Sequence, residues 1–406
     1  MPAVAKKLLP YLLAGLLSAW LASLATGIGD WESDTAPAVH ALAAGDVGSY
    51  LSAKAMMGPF ATLVQAPFVA LSAASGLVAY QWAVFPCLLA AGLLGLYLAR
   101  IAARRGAGLT TQVLLAAFCL LNPLTFEALE NGHPEEILTA ALVVGALAAA
   151  GEKKPWRTAI LLGLAIASKQ WAVVAILPAL MVLPAHRLRV GIGAAAVAGL
   201  LILPGLAAAP SSFVHVQTQA AGTGRVVTPW SVWYPLASPR TEVFEVDGER
   251  LVAHAKDAPS LADPVSHPLI VLLTLVLPLA VAWRQGLPLS PSDGFALLAL
   301  LALLRCVLDP VDNLYYHEPL LLALIGWDAF SSRGLPLRTL LGVAVALVFW
   351  QFWHDISDPA AFNLAYLGFV AALGIALLSS VFRRFSGQPF QFGDFSRYVA
   401  QISGIK

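Results

Sequence analysis

Runs of about 18 or more mostly apolar residues recur from one end of this chain to the other, and each is long enough to carry a helix across a bilayer. Inside hydrocarbon every backbone N–H and C=O must find a partner within the protein, so a chain of this kind folds as membrane helices or as a closed barrel. A barrel needs short segments of alternating hydrophobicity, and none is visible. The 406 residues are 59% hydrophobic and 12% charged, with a mean hydropathy of +0.77, which no soluble globular domain shows. The expected fold is therefore all-α and polytopic. A net charge of +1 gives no basic field for nucleic acid. Cys87, Cys119 and Cys306 lie in or near apolar runs at irregular spacing, which speaks against a disulfide framework or a zinc site.

Orientation follows from the basic clusters, which accumulate on the cytoplasmic side. Lys6-Lys7, Arg104-Arg105, Lys153-Lys154, Arg187 with Arg189, Arg284, Arg333 with Arg338, and Arg383-Arg384 all fall on one side if the chain crosses about twelve times. The expected spans are 8–27, 79–101, 109–128, 136–152, 157–168, 171–185, 190–208, 267–284, 293–309, 317–331, 337–353 and 363–382. The first is read as a retained signal anchor, both termini as cytoplasmic, and 383–406 as a cytoplasmic tail. The fifth and sixth are short and read as half-helices meeting at a break. Residues 58–76 are apolar, but counting them as a span would put Arg104-Arg105 outside. With Pro59 and Pro67 they read instead as a re-entrant or interfacial helix. The whole of 1–406 is expected to be one membrane-embedded domain, with outer loops at 28–57 and 209–266. Neither loop can bury a core of its own, and both should fold as short helices or a hairpin over the outer membrane face.

This topology gathers the acids at outer helix ends. Asp30, Glu32 and Asp34 directly follow the first span. A carboxylate at that boundary is partly desolvated and so a better base; alternatively it simply caps the helix that follows. The stretch Asn-Gly-His-Pro-Glu-Glu-Ile (131–137) opens the fourth span. Pro134 suits a first helical turn, and the helix dipole there accounts well for one glutamate but poorly for two. Glu135 and Glu136, with His133, are candidates to bind a divalent cation or sugar hydroxyls. Lys169, in Ala-Ser-Lys-Gln-Trp (167–171), lies within an apolar stretch, where an ammonium needs an anion or water. It reads as a phosphate ligand or as a snorkelling lysine. Arg305 sits about one turn inside its span, with Asp309 at i+4 as its plain partner. His317 and Glu318 close Asp-Pro-Val-Asp-Asn-Leu-Tyr-Tyr-His-Glu-Pro (309–319), whose tyrosines read as interfacial belt residues. No nucleotide-binding, dinucleotide-binding or metalloprotease motif is present.

Four stretches together resemble the GT-C superfamily of integral membrane glycosyltransferases, and within it the bacterial polyprenyl-phosphate-mannose-dependent mannosyltransferases. They are SDTAPAVHALAAGDVGSY with GPFATLVQAPFVAL, then NGHPEEILTAAL, ILLGLAIASKQWAVVAILPAL and DNLYYHEPLLLAL. The resemblance implies transfer of a sugar, mannose, from a polyprenyl-phosphate donor to a glycolipid or glycan acceptor. The reaction inverts at the extracytoplasmic face of the cell membrane. It makes Asp34 the general base and gives donor binding to His133, Glu135, Glu136, Lys169, Arg305, His317 and Lys54. No cofactor is required by it, and a divalent cation at Glu135 and Glu136 stays open. The sequence departs from the family pattern at Ala36-Pro37-Ala38, where a tyrosine usually follows the aspartate, and at His-Pro-Glu-Glu in the second loop. A polytopic transporter or lipid flippase is the alternative, although that class expects its charges near mid-membrane; a non-catalytic scaffold is a third reading.

Overall fold

The computed structural model describes residues 3–27, 29–53, 55–220, 226–246, 249–355 and 358–382; the expected tail, 383–406, lies outside them. α1 (Ala3–Leu24) leads into the short helices α2 (Trp31–Asp34), α3 (Ala36–Ala43), α4 (Val47–Ser52), α5 (Pro59–Val69) and α6 (Ser72–Ser75). Then come α7 (Ala79–Arg104), α8 (Leu109–Phe118), α9 (Pro123–Glu130), α10 (Pro134–Gly151) and α11 (Pro155–Ile166). A 3-10 segment, Gln170–Ala175, runs into α12 (Ile176–Val182), followed by α13 (Arg187–Ala208) and α14 (Pro210–Ala220). The hairpin β1 (Ser238–Val246) and β2 (Glu249–Asp257) precedes α15 (Ala262–Gln285) and α16 (Pro291–Leu308). The chain continues through a 3-10 turn at Leu314–His317, α17 (Glu318–Ser331), α18 (Leu337–Asp355) and α19 (Pro359–Phe382).

Eight of the described helical segments are long and apolar enough to cross a membrane: α7, α8 with α9, α10, α13, the 264–285 part of α15, α16, α18 and α19. This is a multi-pass membrane protein. Of the other four expected crossings, three fold as shorter helices, and α1, at 22 residues, has a shorter apolar part. The apolar part of α1 is Leu8–Leu24, α11 ends at Ile166, the next segment is Gln170–Val182, and α17 has 14 residues. At the break after Ile166 the chain turns, and Lys169 reaches Glu135 and Glu136, each at 3.0 Å. The helix expected at 58–76 is α5, which has 11 residues and places Pro59 in its first turn. In the long loop the antiparallel hairpin sets Ser238 opposite Asp257 and Val246 opposite Glu249.

α10 is the axis of the bundle. Its sequence, PEEILTAALVVGALAAAG, is rich in small residues, which let neighbouring backbones approach closely where no hydrophobic force separates helix from lipid. Nearly every residue of α10 is buried, against α7, α11, α16 and α17. The outlying helices α13, α15, α18 and α19 instead expose large apolar side chains such as Leu200, Leu272, Leu341 and Leu364, a surface suited to lipid.

Two backbone seams bind the first loop to this axis. Asp30 N–H donates to Asn131 C=O at 3.1 Å, and Gly58 N–H and Phe60 N–H donate to Ser168 and Ala167 carbonyls at 2.9 and 3.0 Å. The second pair satisfies carbonyls left over where α11 breaks, as a non-helical stretch at membrane depth requires. Glycine permits both approaches. A Cβ on Gly29 (φ +46°) would lie 2.3 Å from the Asn131 carbonyl oxygen, and one on Gly58 would lie 2.2 Å from that of Ala167. We expect Gly58→Ala to lower the unfolding free energy by about 1–3 kcal/mol through forced backbone displacement. Gly15→Ala, whose Cβ meets nothing within 4 Å, should be neutral or slightly stabilising. Thermal unfolding in detergent of the two variants checks the contrast.

Candidate active site

The seams place the first-loop acids, the N-terminus of α10, the α11 break and the C-terminal turn of α16 around one cavity of about 930 Å³. Asp34, His133, Glu136, Lys169 and Arg305 line it together. The opposite wall is apolar and comes from α13 and α15, with Leu200, Leu201, Ile202, Ile270, Val271 and Leu275. The cavity thus joins a charged end to an oily flank.

At the charged end the side chains form a row of alternating sign. Asp30 Oδ2 lies 3.3 Å from His133 Nε2, and His133 Nδ1 lies 3.0 Å from Glu135 Oε1. Lys169 Nζ donates to Glu135 Oε1 and to Glu136 Oε1, each at 3.0 Å. Trp171 Nε1 donates to Glu136 Oε2 at 2.8 Å. Arg305 ends the row, 3.9 Å from Glu136 Oε1, with its guanidinium 4.9 Å from the Trp171 ring centre and 4.6 Å from that of Tyr316. Three acids therefore face three bases. This resolves the question posed by two adjacent glutamates: α10's dipole favours them at its first turn, and Lys169 bridges both.

Burial differs along the row. The Asp30 side chain is 70% exposed and that of His133 only 7%. The hydrogen bond from His133 holds the Asp30 carboxyl below its usual range, against the opposing effect of its own partial burial. For His133 burial pulls downward, but the hydrogen bonds to Asp30 and Glu135 outweigh it and hold the imidazole at about 9. The imidazole is therefore a cation at neutral pH, and Tyr315 stacks on it with ring centres 5.0 Å apart.

The sequence candidates divide. Glu135 is fully buried behind the cavity wall and acts on it through Lys169 and His133. The charge that a divalent cation would neutralise at Glu135 and Glu136 is supplied by Lys169, His133 and Arg305 instead. Lys169 is clamped by carboxylates, so it is less available to a phosphate than a free ammonium. His317 is not brought to this cavity: it borders a second one of about 230 Å³ between α17, α18 and α19, beside Trp230 and Tyr366. Lys54 lies outside the described residues. Tyr315 and Tyr316, read from sequence as belt residues, instead line the charged end. Trp171 and Asp30 also belong to it, and no local signal in the sequence names Glu136 or His133 as their partners.

The sequence profile of glycosyltransferase family 87 matches residues 57–310, more than half of the chain. The chain belongs to glycosyltransferase family 87. This family 87 member is an integral membrane glycosyltransferase, in line with the GT-C resemblance of its sequence. The matched interval contains NGHPEEI, Ala-Ser-Lys-Gln-Trp and Arg305, whereas Asp30 and Asp34 precede it. Among solved structures, ArnT from Cupriavidus metallidurans bound to undecaprenyl phosphate is similar at 15% identity with a TM-score of 0.48, covering 93% of this chain and 71% of that one. No curated protein matches the sequence.

The charge row of this glycosyltransferase has a pH signature. Because folding raises the His133 pKa, its contribution to stability is complete below the free imidazole value of about 6.5. That contribution is then lost as pH rises through about 9. Thermal unfolding from pH 6 to 10 should show the wild type losing stability over that window, with the difference from His133→Gln shrinking toward the alkaline end. Lys169→Met, which strands two buried carboxylates, should cost about 3–5 kcal/mol, and the same melts read it.

Proposed function

We propose that this protein transfers a sugar from a polyprenyl-phosphate-linked donor to a glycolipid or glycan acceptor at the extracytoplasmic membrane face, with inversion. Mannose is the sugar that the sequence resemblance implies. The observation that carries the reading is the two-sided cavity: charged groups at one end and an apolar wall from lipid-facing helices α13 and α15 at the other. An amphiphile with a phosphate head and an isoprenoid tail matches both parts, and its tail can stay in the bilayer while its head reaches the charges.

Of the two first-loop acids on the cavity, Asp30 is committed to His133. The Asp34 carboxylate accepts a hydrogen bond from the neighbouring Ser33 hydroxyl at 2.8 Å, a light constraint for a base. In the proposed step the acceptor hydroxyl gives its proton to an Asp34 carboxylate oxygen as its own oxygen bonds to the anomeric carbon. The bond from that carbon to the phosphate oxygen breaks on the opposite face, and the electron pair leaves with the polyprenyl phosphate. A single displacement of this kind inverts the anomeric centre.

Arg305 is the group best placed to receive the leaving charge. It lies 3.9 Å from Glu136 and is oriented by two aromatic faces, so a phosphate can engage its guanidinium without dismantling the Lys169 clamp. A fixed cation aimed at developing negative charge stabilises the transition state more than the ground state, and so accelerates the step. Lys169 and His133 then act by holding the acids neutralised as a group.

In proteoliposomes supplied with a panel of polyprenyl-phosphate sugars, Asp34→Asn should lower turnover about 10²–10⁴-fold while donor binding persists. Arg305→Gln should lower turnover and also weaken retention of polyprenyl phosphate. Wild-type turnover by a folded Asp34→Asn protein would remove Asp34 from the role of base.

A further inference from the structure

Behind the cavity wall, on the far side of Arg305, three side chains of different chemistry converge in a place that the transfer reaction does not use. Cys306 closes α16, Asp312 lies in the following loop, and His317 ends the 3-10 turn. One ligand atom from each falls within 4.8 Å of the others, and all three residues are buried. Asp312 is 0% exposed, and neither of its carboxylate oxygens has a hydrogen-bond partner among the described residues. Its nearby basic group is His317, with Nε2 at 3.6 Å from Oδ2. A buried carboxylate without donors costs several kcal/mol unless it takes up a proton or a cation.

The imidazole is already turned to hold one. Its Nδ1 donates to the Leu314 carbonyl at 3.1 Å, so Nε2 is the acceptor nitrogen, 2.8 Å from Tyr366 Oη and 3.6 Å from Asp312 Oδ2. Backbone anchoring of the second ring nitrogen is the usual support of a metal-bound histidine. Metal–ligand bonds of about 2.0–2.3 Å in a tetrahedral site put ligand atoms about 3.3–3.8 Å apart, and the Nε2–Oδ2 separation of 3.6 Å already lies there. Thiolate, imidazole and carboxylate together suit a borderline cation.

We propose that Cys306, Asp312 and His317 form a zinc site, with Tyr366 Oη, now hydrogen-bonded to Nε2 at 2.8 Å, moving off that nitrogen to supply an oxygen for the fourth position. Binding releases the Cys306 thiol proton to solvent and replaces the bond that Sγ now donates to the Tyr316 carbonyl at 3.1 Å. The site is structural. It ties the end of α16 to the segment that carries Tyr315 and Tyr316 into the catalytic cavity, and both to α19. It therefore positions Arg305, whose Nη1 donates to that same Tyr316 carbonyl at 3.5 Å.

The full chain, purified in detergent without chelator, should carry one zinc ion per chain by elemental analysis. After stripping, added Co²⁺ should give thiolate-to-metal charge-transfer absorption. Cys306→Ser should abolish that absorption, and Asp312→Asn and His317→Gln should each lose stoichiometric zinc while still eluting as monodisperse protein. Glu130→Gln, at a separate acidic group with Glu127 and His354, should keep it. Zinc retained by all three ligand variants, or wild-type zinc no higher than in Cys306→Ser, would overturn the proposal. If the variants fail to fold, the cobalt spectrum of the wild type decides: absence of a thiolate band overturns the site.

Discussion

Lys169 bonded at once to Glu135 and Glu136 is the interaction on which the arrangement of this membrane protein rests. An ammonium or a carboxylate alone is expensive among apolar helices, and two adjacent carboxylates more so. Their mutual neutralisation removes that cost only if α10 and the break after α11 are held together, which fixes the bundle axis against its neighbour. The same pairing extends outward through His133 to Asp30, and on the other side toward Arg305. The row that lets α10 begin with two acids is thus also the charged end of the large cavity.

The break after α11 and the first loop answer one another in the backbone. Carbonyls at 167 and 168, which a helix would have used, are taken by amides at 58 and 60. The loop behaves as an inserted part of the bundle because its hydrogen bonds are made to helix ends rather than to water. The acids carried by that loop inherit a fixed position from this.

Much of the fold was legible because a bilayer allows few solutions: span length, the lysine in an apolar run and Pro59 each limit the backbone directly. The charged residues of the cavity were legible for a related reason, since an ionised group in such surroundings must have a partner. What the sequence does not carry is the partner's identity. Glu136 and Lys169 are 33 residues apart and His133 and Asp30 are 103 apart, and no periodic pattern encodes such pairings. Tyr315 and Tyr316 illustrate the same limit. Their composition and location are those of an interfacial belt, and only the packing of the 3-10 turn against α9 and α16 turns them toward His133 and Arg305. His317, adjacent in sequence, faces the other way for the same local reason, because successive residues of a tight turn point to different sides.

The seam at Gly58 also bears on how the protein is assembled. The ribosome completes the first loop before residues 167 and 168 exist, so its amides at 58 and 60 have no partner carbonyls until the break after α11 is made. Closure of the cavity therefore depends on the segment that carries residues 167 and 168, and a chain ending before it would hold the first-loop acids without the wall that Lys169 supplies.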